Sequence, residues 1–354
     1  MKKLMPILFL ALLLLGCTQT NNSAKNKSSS KDTANSAATT TLNISNIFPF
    51  KQDVQLKYTS SESPTSNSNI YIDFIKTNRM QFRIVTSDSS VGYVLENKNG
   101  ELRLITSRNS FYYHEDLTSI QNVTPEIILK EPLVKGTSWL LPNGNKRYIS
   151  KDNVEIATAS GKYIALEVTT ESSKGKIINY YAPKVGLVKT ISNLTKKSIS
   201  SLEAIVEDAV ATETVNFYYP NPEKDSLMFF KRQLHFKTGD AAKTFFEKYF
   251  KEAPTSSLTK VISLNTKIEK LYLNTTENKV YVDFSKEFRK EMNLGSSGES
   301  AVLKCITNTL CDYFNVDKLS LTVEGKPYES GHIILKSNEP LYIDAGLKNI
   351  VEFK

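Results

Sequence analysis

Cysteines are the residues of this sequence whose chemistry is easiest to weigh, because a thiol can act as a nucleophile, a metal ligand or half of a disulfide. Cys305 and Cys311 lie six residues apart on a predicted helix. That spacing puts them on different sides, about 9 Å apart along the axis. A disulfide needs Cα atoms within about 7 Å, so we do not expect them to pair. A redox or metal pair is the alternative to the favoured interpretation, two small buried side chains.

Histidines give no metal-binding pattern. His114, His235 and His332 lie on different predicted elements, and no two have the i, i+4 spacing of helical metal ligands. A zinc site needs about four nitrogen or sulfur ligands close together. We therefore predict no metal site and no cofactor.

One pair of carboxylates, Asp283 and Glu287, has a spacing that an acid/base pair could use. Asp283 alternates with two apolar neighbours on a predicted strand and is therefore expected to face solvent. Ser285 is expected to cap a short helical turn, where Glu287 complements the helix dipole. The sequence favours this structural use and contains no nucleophile elbow, phosphate loop or zinc-protease motif. We expect no catalytic residues and no enzymatic activity.

The third cysteine, Cys17, ends an N-terminal pattern of a different kind. Two lysines precede an apolar run that leads into Leu14, Leu15 and Gly16. Such a run indicates a secretory signal, since it is shorter than the roughly 20 apolar residues of a membrane span. The segment resembles a bacterial lipobox, in which small residues admit a peptidase and the thiol forms a thioether with a diacylglyceryl group. Residues 1–17 are therefore predicted to be a lipoprotein signal peptide with Cys17 as the lipidation site.

Residues 18–45 are rich in Ser, Asn, Thr, Lys and Ala and contain no aromatic residue until the folded part begins. This composition predicts a disordered tether. The chain is expected on the extracytoplasmic face of the cell membrane, held there by membrane lipid through acylated Cys17. The formal net charge of +8 is spread along the chain. It fits an anionic envelope surface, and we predict no nucleic-acid partner.

Residues 46–206 are predicted to form a β-rich domain. Apolar residues alternate with polar ones in runs such as Val54–Tyr58, Ile70–Phe74 and Met80–Ile84. Hairpin signals, including Asn99-Gly100 and Asn143-Gly144, separate such runs. A helical turn is expected near residues 124–131. Together these patterns predict an antiparallel curved sheet.

A second domain is predicted at residues 212–330, followed by a C-terminal strand extension at residues 331–354. A strand leads to an amphipathic helix that Asp240 is expected to cap. A hairpin, a Gly/Ser loop, a second helix and a strand follow. The order β-α-β-β-α-β predicts a two-layer α/β sandwich and, for the whole chain, the α+β class.

The second domain contains the runs VNFYYP and VDFSKEF, followed by a closing helix and strand that begin at Glu299. In these runs and in its element order it resembles the GerMN domain, the sporulation and spore germination module. One departure is Glu252-Ala253-Pro254, where the family often has Leu-x-x-Gly-Pro. The resemblance implies a protein-binding or assembly module of the cell envelope, with envelope proteins, such as a sporulation-channel assembly, as partners. It implies no catalytic residues.

Three hypotheses of function follow. The first is a membrane-anchored envelope lipoprotein that binds proteins through the GerMN-like domain and acts in sporulation or germination. Tyr218 is its candidate interface residue, because alternation buries both of its neighbours and leaves Tyr218 outside. The second is a carrier-like lipoprotein whose curved sheet binds a lipid or another apolar ligand. The third, an enzyme acting on peptidoglycan, would need an acid in a cleft.

Overall fold

The computed structural model describes residues 42–337 and 339–353, which form two compact units. Of the described residues, the first unit contains those up to Ser110 and Thr118–Asp208, and the second contains Phe111–Leu117 and those from Ala209 onward. The predicted β domain runs without interruption from 46 to 206, whereas the structure assigns seven of its residues to the second unit.

The described part of the first unit consists of one short helix and a sheet of twelve strands. The helix is α1 (Ile44–Ile47). The strands are β1 (Gln55–Ser60), β2 (Ser68–Lys76), β3 (Arg79–Val85), β4 (Ser90–Lys98), β5 (Glu101–Asn109), β6 (Glu126–Lys130), β7 (Ser138–Leu140), β8 (Lys146–Thr158), β9 (Gly161–Ser172), β10 (Gly175–Ala182), β11 (Gly186–Ser192) and β12 (Ser198–Val206). Their order is β6-β5-β4-β3-β2-β1-β12-β11-β10-β9-β8-β7, with antiparallel neighbours.

Local turn chemistry explains most of this antiparallel order. Asn99 and Gly100 both have positive φ (55° and 70°) between β4 and β5, as a two-residue hairpin requires. Gly144, with φ of 80°, lies between β7 and β8. These predicted hairpins are confirmed. The helical turn expected near residues 124–131 is wrong, since that segment contains β6, paired with β5.

Side chains join the two edges of the first sheet, β6 and the β7–β8 hairpin. The indole Nε1 of Trp139 donates to the carbonyl oxygen of Ile127 at 2.9 Å. The Arg147 guanidinium donates to the same oxygen at 2.8 Å, to Glu126 at 2.8 Å and to Thr170 Oγ1 at 2.7 Å. The sheet therefore curls until its edges meet through side chains, with one apolar cluster enclosed by the curl.

The described part of the second unit contains eleven helices and strands, where the sequence predicts six in the order β-α-β-β-α-β. Its elements are β13 (Ala211–Asn221), β14 (Ser226–Phe236), α2 (Ala242–Lys251), β15 (Ile268–Asn274), β16 (Lys279–Phe284), α3 (Glu287–Lys290), α4 (Ser296–Phe314), β17 (Lys318–Val323), β18 (Lys326–Pro327), β19 (Leu341–Tyr342) and β20 (Val351–Glu352). Single-turn 3₁₀ helices lie at Pro222–Lys224 and Leu347–Asn349 in this unit, and one more lies at Pro64–Ser66 in the first unit.

The strands of the second unit form two sheets, where the sequence predicts one. β13, β14 and β20 form the first sheet, and β15 to β18 form the second, with β19 paired to β17. The predicted order β-α-β-β-α-β omits β14, which pairs with β13 along its whole length. Within residues 331–354, the described strands are the two-residue β19 and β20.

The short segment Phe111–Leu117 is held inside the second unit by aromatic contacts. The ring of Tyr113 lies 5.1 Å from that of Phe314, between centroids. His114 stacks on Phe236 at 4.2 Å, and its Nε2 lies 2.9 Å from the Asp240 carbonyl oxygen. The second unit is thus built from two separate stretches of chain.

The start of α2 differs from the prediction that Asp240 caps it. The residue at the N-cap is Ala241, which makes no side-chain capping bond. The carboxylate of Asp240 accepts instead from the Lys237 backbone N–H at 2.8 Å. Asp240 therefore stabilises the turn before the helix.

Within the described residues, no helix combines the length and the apolar character that crossing a bilayer demands.

Candidate functional site

A cavity of about 120 Å³ lies inside the curl of the first unit's sheet. Most residues lining it are apolar. Strands β1 and β2 contribute Leu56, Tyr58, Ile70 and Ile72, β3 contributes Met80, Phe82 and Ile84, β4 to β6 contribute Tyr93, Leu95, Leu104 and Ile128, and β10 to β12 contribute Tyr181, Leu187 and Ile205.

Several of these apolar side chains are only half-buried. Leu56, Ile72, Phe82, Leu187 and Ile205 line the cavity and keep part of their surface accessible to water. Burying apolar surface is favourable by roughly 25 cal/mol per Å². The cavity is therefore a region that an apolar ligand would stabilise by covering these side chains.

The segment after α1 and the β10–β11 turn also contribute lining residues to the cavity. Phe48 lies against Gly186, where an added Cβ would come within 3.1 Å of the Phe48 ring. Gly186 also has a φ of 94°, so the position favours glycine for two reasons. The backbone N–H of Lys184 donates to the Asn46 carbonyl oxygen at 2.6 Å. These contacts fix the turn next to α1.

The charged groups among the described lining residues are two exposed lysines, Lys51 and Lys184. Within the described chain neither forms an ion pair. Burial raises the pKa of Tyr93 and of Tyr181 to about 12, so these phenols are neutral at physiological pH. The Tyr58 hydroxyl donates to the Leu187 carbonyl oxygen at 2.6 Å. The lining is thus uncharged apart from two ammonium groups.

The alternating runs in the sequence predict most of the apolar residues that line the cavity. Residues of Val54–Tyr58 and Met80–Ile84 face the cavity as period two predicts. Phe74 does not line it, because a bulge shifts the β2–β3 register between Ile72 and Phe74. Lys51 and Lys184 were not predicted. The signal that could have indicated Lys184 is its place in a Pro-Lys-Val-Gly turn between two strands.

The candidate interface residue Tyr218 is not exposed, and this prediction is wrong. Its side chain is 2% exposed, beside the fully buried Phe217 and Tyr219. The Tyr218 ring contacts that of Phe229 at 5.6 Å, and its backbone N–H donates to Thr309 Oγ1 at 3.0 Å. Both faces of β13 are therefore covered, so alternation cannot separate its inner from its outer residues.

Cys305 and Cys311 are free and fully buried in α4, as the sequence predicts. Burial raises the pKa of the Cys311 thiol to about 12 and that of Cys305 well above its usual range. Both thiols are thus neutral at physiological pH. The predicted lipidation site Cys17 and the lipobox residues Leu14, Leu15 and Gly16 lie outside the described residues.

The candidate acid/base pair has two structural roles: Glu287 lies in the first turn of α3, as the sequence predicts, and Asp283 holds a turn. Asp283 is 9% exposed, so the expectation that it faces solvent is wrong. Its carboxylate accepts from Thr322 Oγ1 at 2.6 Å and from the Gly325 backbone N–H at 2.8 Å. Ser285 does not cap α3, whose N-cap is Lys286; its hydroxyl accepts from the Lys267 backbone N–H. The described residues contain no group of three potential metal ligands.

Glu247 connects α2 to β15 and gives the second unit a pH-dependent contact. Its carboxylate accepts from Lys251 Nζ at 2.7 Å, from Lys267 Nζ at 3.1 Å and from the Ile268 backbone N–H at 3.0 Å. Partial burial opposes ionisation, but these three hydrogen bonds outweigh it and lower the pKa of Glu247. The ionised carboxylate of Glu247 is therefore stabilised more in the folded state than in the unfolded chain.

Replacing Glu247 with glutamine should make the stability of the second unit less dependent on pH in the acid range. A carboxyl group whose pKa is lowered by folding stabilises fully above its unfolded pKa of about 4.5, and this contribution is lost as pH falls through the folded pKa. Urea unfolding followed by circular dichroism at 222 nm would test this at several pH values. Glu269→Gln, at an exposed position, is the control, and an equal acid dependence in both variants would contradict the assignment.

Comparison with known proteins assigns a family to part of the second unit. Residues 216–329 match the family model described as Germane, sporulation and spore germination. A search of curated proteins found no match.

The similarity of this chain to solved structures is weaker than its match to the family model. The tandem GerMN domains of the sporulation protein GerM from Bacillus subtilis align at 16% identity and a TM-score of 0.28, over 38% of this chain and 46% of that one. The first GerMN domain of the same protein aligns at 14% and 0.27, over 37% and 97%. A protein described as a candidate lipoprotein from Clostridium perfringens aligns at 14% and 0.25, over 40% and 92%. This chain thus spans under half of the tandem structure, and the assignment rests on the family model.

Proposed function

We propose that this protein is an envelope lipoprotein that acts in sporulation or in spore germination. The premise is that residues 216–329 form a domain of the Germane family, which is described by those two processes. The family match is the observation that carries the proposal. The N-terminal pattern that ends at Cys17 supports placement on the outer side of the cell membrane. We propose no catalytic activity, since the family resemblance supplies no catalytic residues.

A deletion strain of the native host, scored separately for spore formation and for germination, tests this role. We expect a defect in one of the two that the intact gene restores. Complementation with Cys17→Ser should fail to restore it and should release the protein from the membrane fraction. Normal sporulation and germination in the deletion strain would contradict the role, and membrane retention of Cys17→Ser would contradict the lipid anchor.

For the Germane domain we propose a protein-binding role, in which the β15 edge makes the contact. β15 pairs with β16 and is an edge of its sheet among the described strands. Tyr272 on β15 is 41% exposed, and its ring stacks on Tyr281 at 5.2 Å with 4° between the planes. A rigid aromatic pair with one exposed ring on an edge strand is a favourable protein contact. Tyr272 thus takes the place of the buried Tyr218 as candidate interface residue.

Photo-crosslinking in sporulating cells tests this surface. A benzophenone amino acid at Tyr272 should capture an envelope protein. The same group at Glu223, exposed in the β13–β14 turn, is the matched control and should not capture that protein. Equal capture from both positions, or none from Tyr272, would contradict a contact at β15.

The cavity of the first unit favours a second candidate function, binding of an apolar ligand. The supporting observation is the set of half-buried apolar side chains that face one another inside the curl of the sheet. Native mass spectrometry of the full chain carrying Cys17→Ser, after mixing with an amphiphile, should detect a bound molecule. A chain that stays free of ligand under these conditions would contradict this candidate.

A further inference from the structure

We infer that the cavity binds the single acyl chain of a fatty acid, with the carboxylate at Lys51 and Lys184. The inference rests on the proposed apolar-ligand function and specifies the ligand class. It combines three observations: the apolar lining, the size of the space and the position of the two ammonium groups.

The size of the cavity selects one hydrocarbon chain. An engineered protein cavity of about 150 Å³ accepts one benzene molecule. The cavity here, at about 120 Å³, is of that order. It accommodates a segment of one chain next to Leu56, Ile72 and Phe82, but not the paired chains of a diacyl phospholipid. Each methylene group that enters is transferred from water to an apolar surrounding and so strengthens binding.

Charge selects the head group of the ligand. Lys51 and Lys184 are exposed lining residues, and within the described chain neither has a carboxylate partner. The other polar lining groups are tyrosine hydroxyls, of which that of Tyr58 already donates to a backbone carbonyl. An anionic head group therefore finds two ammonium groups and no opposing carboxylate in the lining. A cationic head group would be repelled.

The backbone of Lys184 is held in place, although its side chain is flexible. Its φ of 66° is in the left-handed region, and its backbone N–H donates to the Asn46 carbonyl oxygen, which holds the turn against α1. Lys51 lies four residues after the end of α1. Both ammonium groups thus come from lining segments that are held against each other, and the carboxylate should lie beside these segments with the hydrocarbon chain extending into the cavity.

Binding of dodecanoate and of its neutral analogue 1-dodecanol to the full chain tests the inference. The chain should carry Cys17→Ser, so that no acyl group of its own competes. Calorimetry and native mass spectrometry should show one dodecanoate per chain, bound about three- to tenfold more tightly than dodecanol, as expected for two exposed charge contacts. The double variant Lys51→Glu with Lys184→Glu should lose this preference.

Lys174→Glu is the matched control for charge, because Lys174 is exposed in the turn at the other end of β10. It should keep the preference for dodecanoate. Leu56→Phe with Ile72→Phe should weaken both ligands by filling the cavity, while the emission of Trp139 confirms that the unit is folded.

The possible failures are distinguishable. Equal binding of dodecanol and dodecanoate would overturn the head-group assignment and leave an apolar-ligand function standing. Two chains per protein, or stronger binding of diacyl phosphatidylglycerol from vesicles, would overturn the single-chain assignment. No binding of either dodecyl compound to the folded chain would overturn the inference together with the function on which it rests.

Discussion

Replacing Arg147 with methionine should lower the free energy of unfolding of the first unit by about 3–5 kcal/mol. Arg147 is 6% exposed and forms an ion pair with Glu126, which is 7% exposed. Methionine fills a similar volume but leaves the Glu126 carboxylate buried without its partner, and it removes one donor from the Ile127 carbonyl oxygen. Urea unfolding followed by Trp139 fluorescence measures this, because Trp139 is the single tryptophan of the chain.

Two further variants separate the ion pair from a general loss of packing. Lys146→Met, at the exposed neighbouring position, should change stability by less than about 0.5 kcal/mol. Glu126→Leu with Arg147→Met should recover at least half of the loss, because removing both charges leaves no unpaired carboxylate. A loss of under about 1 kcal/mol in Arg147→Met alone would show that this contact does not hold the sheet edges together.

Replacing Phe217 with alanine should destabilise the second unit by about 3–5 kcal/mol. The Phe217 side chain is fully buried, and its ring lies 5.2 to 5.8 Å from the rings of Tyr249, Phe246 and Phe250. The substitution leaves a cavity between β13 and α2 and removes three aromatic contacts. Hydrogen exchange of the backbone amides in β13 and α2 measures the change, since their protection reports opening of this unit.

The matched control for Phe217 is Leu264→Ala, an apolar truncation at a site that is 68% exposed. It should leave the protection of β13 and α2 unchanged within about 0.5 kcal/mol. Protection in Phe217→Ala equal to that in the control would contradict the assignment of Phe217 to the core that joins strand and helix.

Local patterns in the sequence predicted many of the strands of the first unit and the faces that they present, although β6 was expected to be a helical turn. Alternation placed Leu56 and Phe82 on one apolar face, and the dipeptide Asn99-Gly100 marked its hairpin. Both signals act over a few residues, so they can be recognised without the tertiary structure. The Germane resemblance was likewise carried by contiguous runs, and it is supported by the match to residues 216–329.

The predictions that failed depended on contacts between distant segments. Phe74 leaves the cavity face because of one bulge, which alternation does not reveal. Tyr218 is buried by contacts with Thr309 of α4 and Phe229 of β14, and the buried Asp283 finds its N–H donor in a turn 42 residues later. The contact of Arg147 with β6, 21 residues before it, likewise has no local signal. In each case a non-local partner decides the environment of the side chain.

The segment Phe111–Leu117 determines which fragments of this chain can fold on their own. A fragment that begins at Ala209 would lack Tyr113 and His114, and so would expose the rings of Phe314 and Phe236 to water. Deleting residues 111–117 from the intact protein would expose the same two rings. Experiments on an isolated Germane domain therefore need this heptapeptide supplied with it, for example grafted ahead of β13 through a flexible linker.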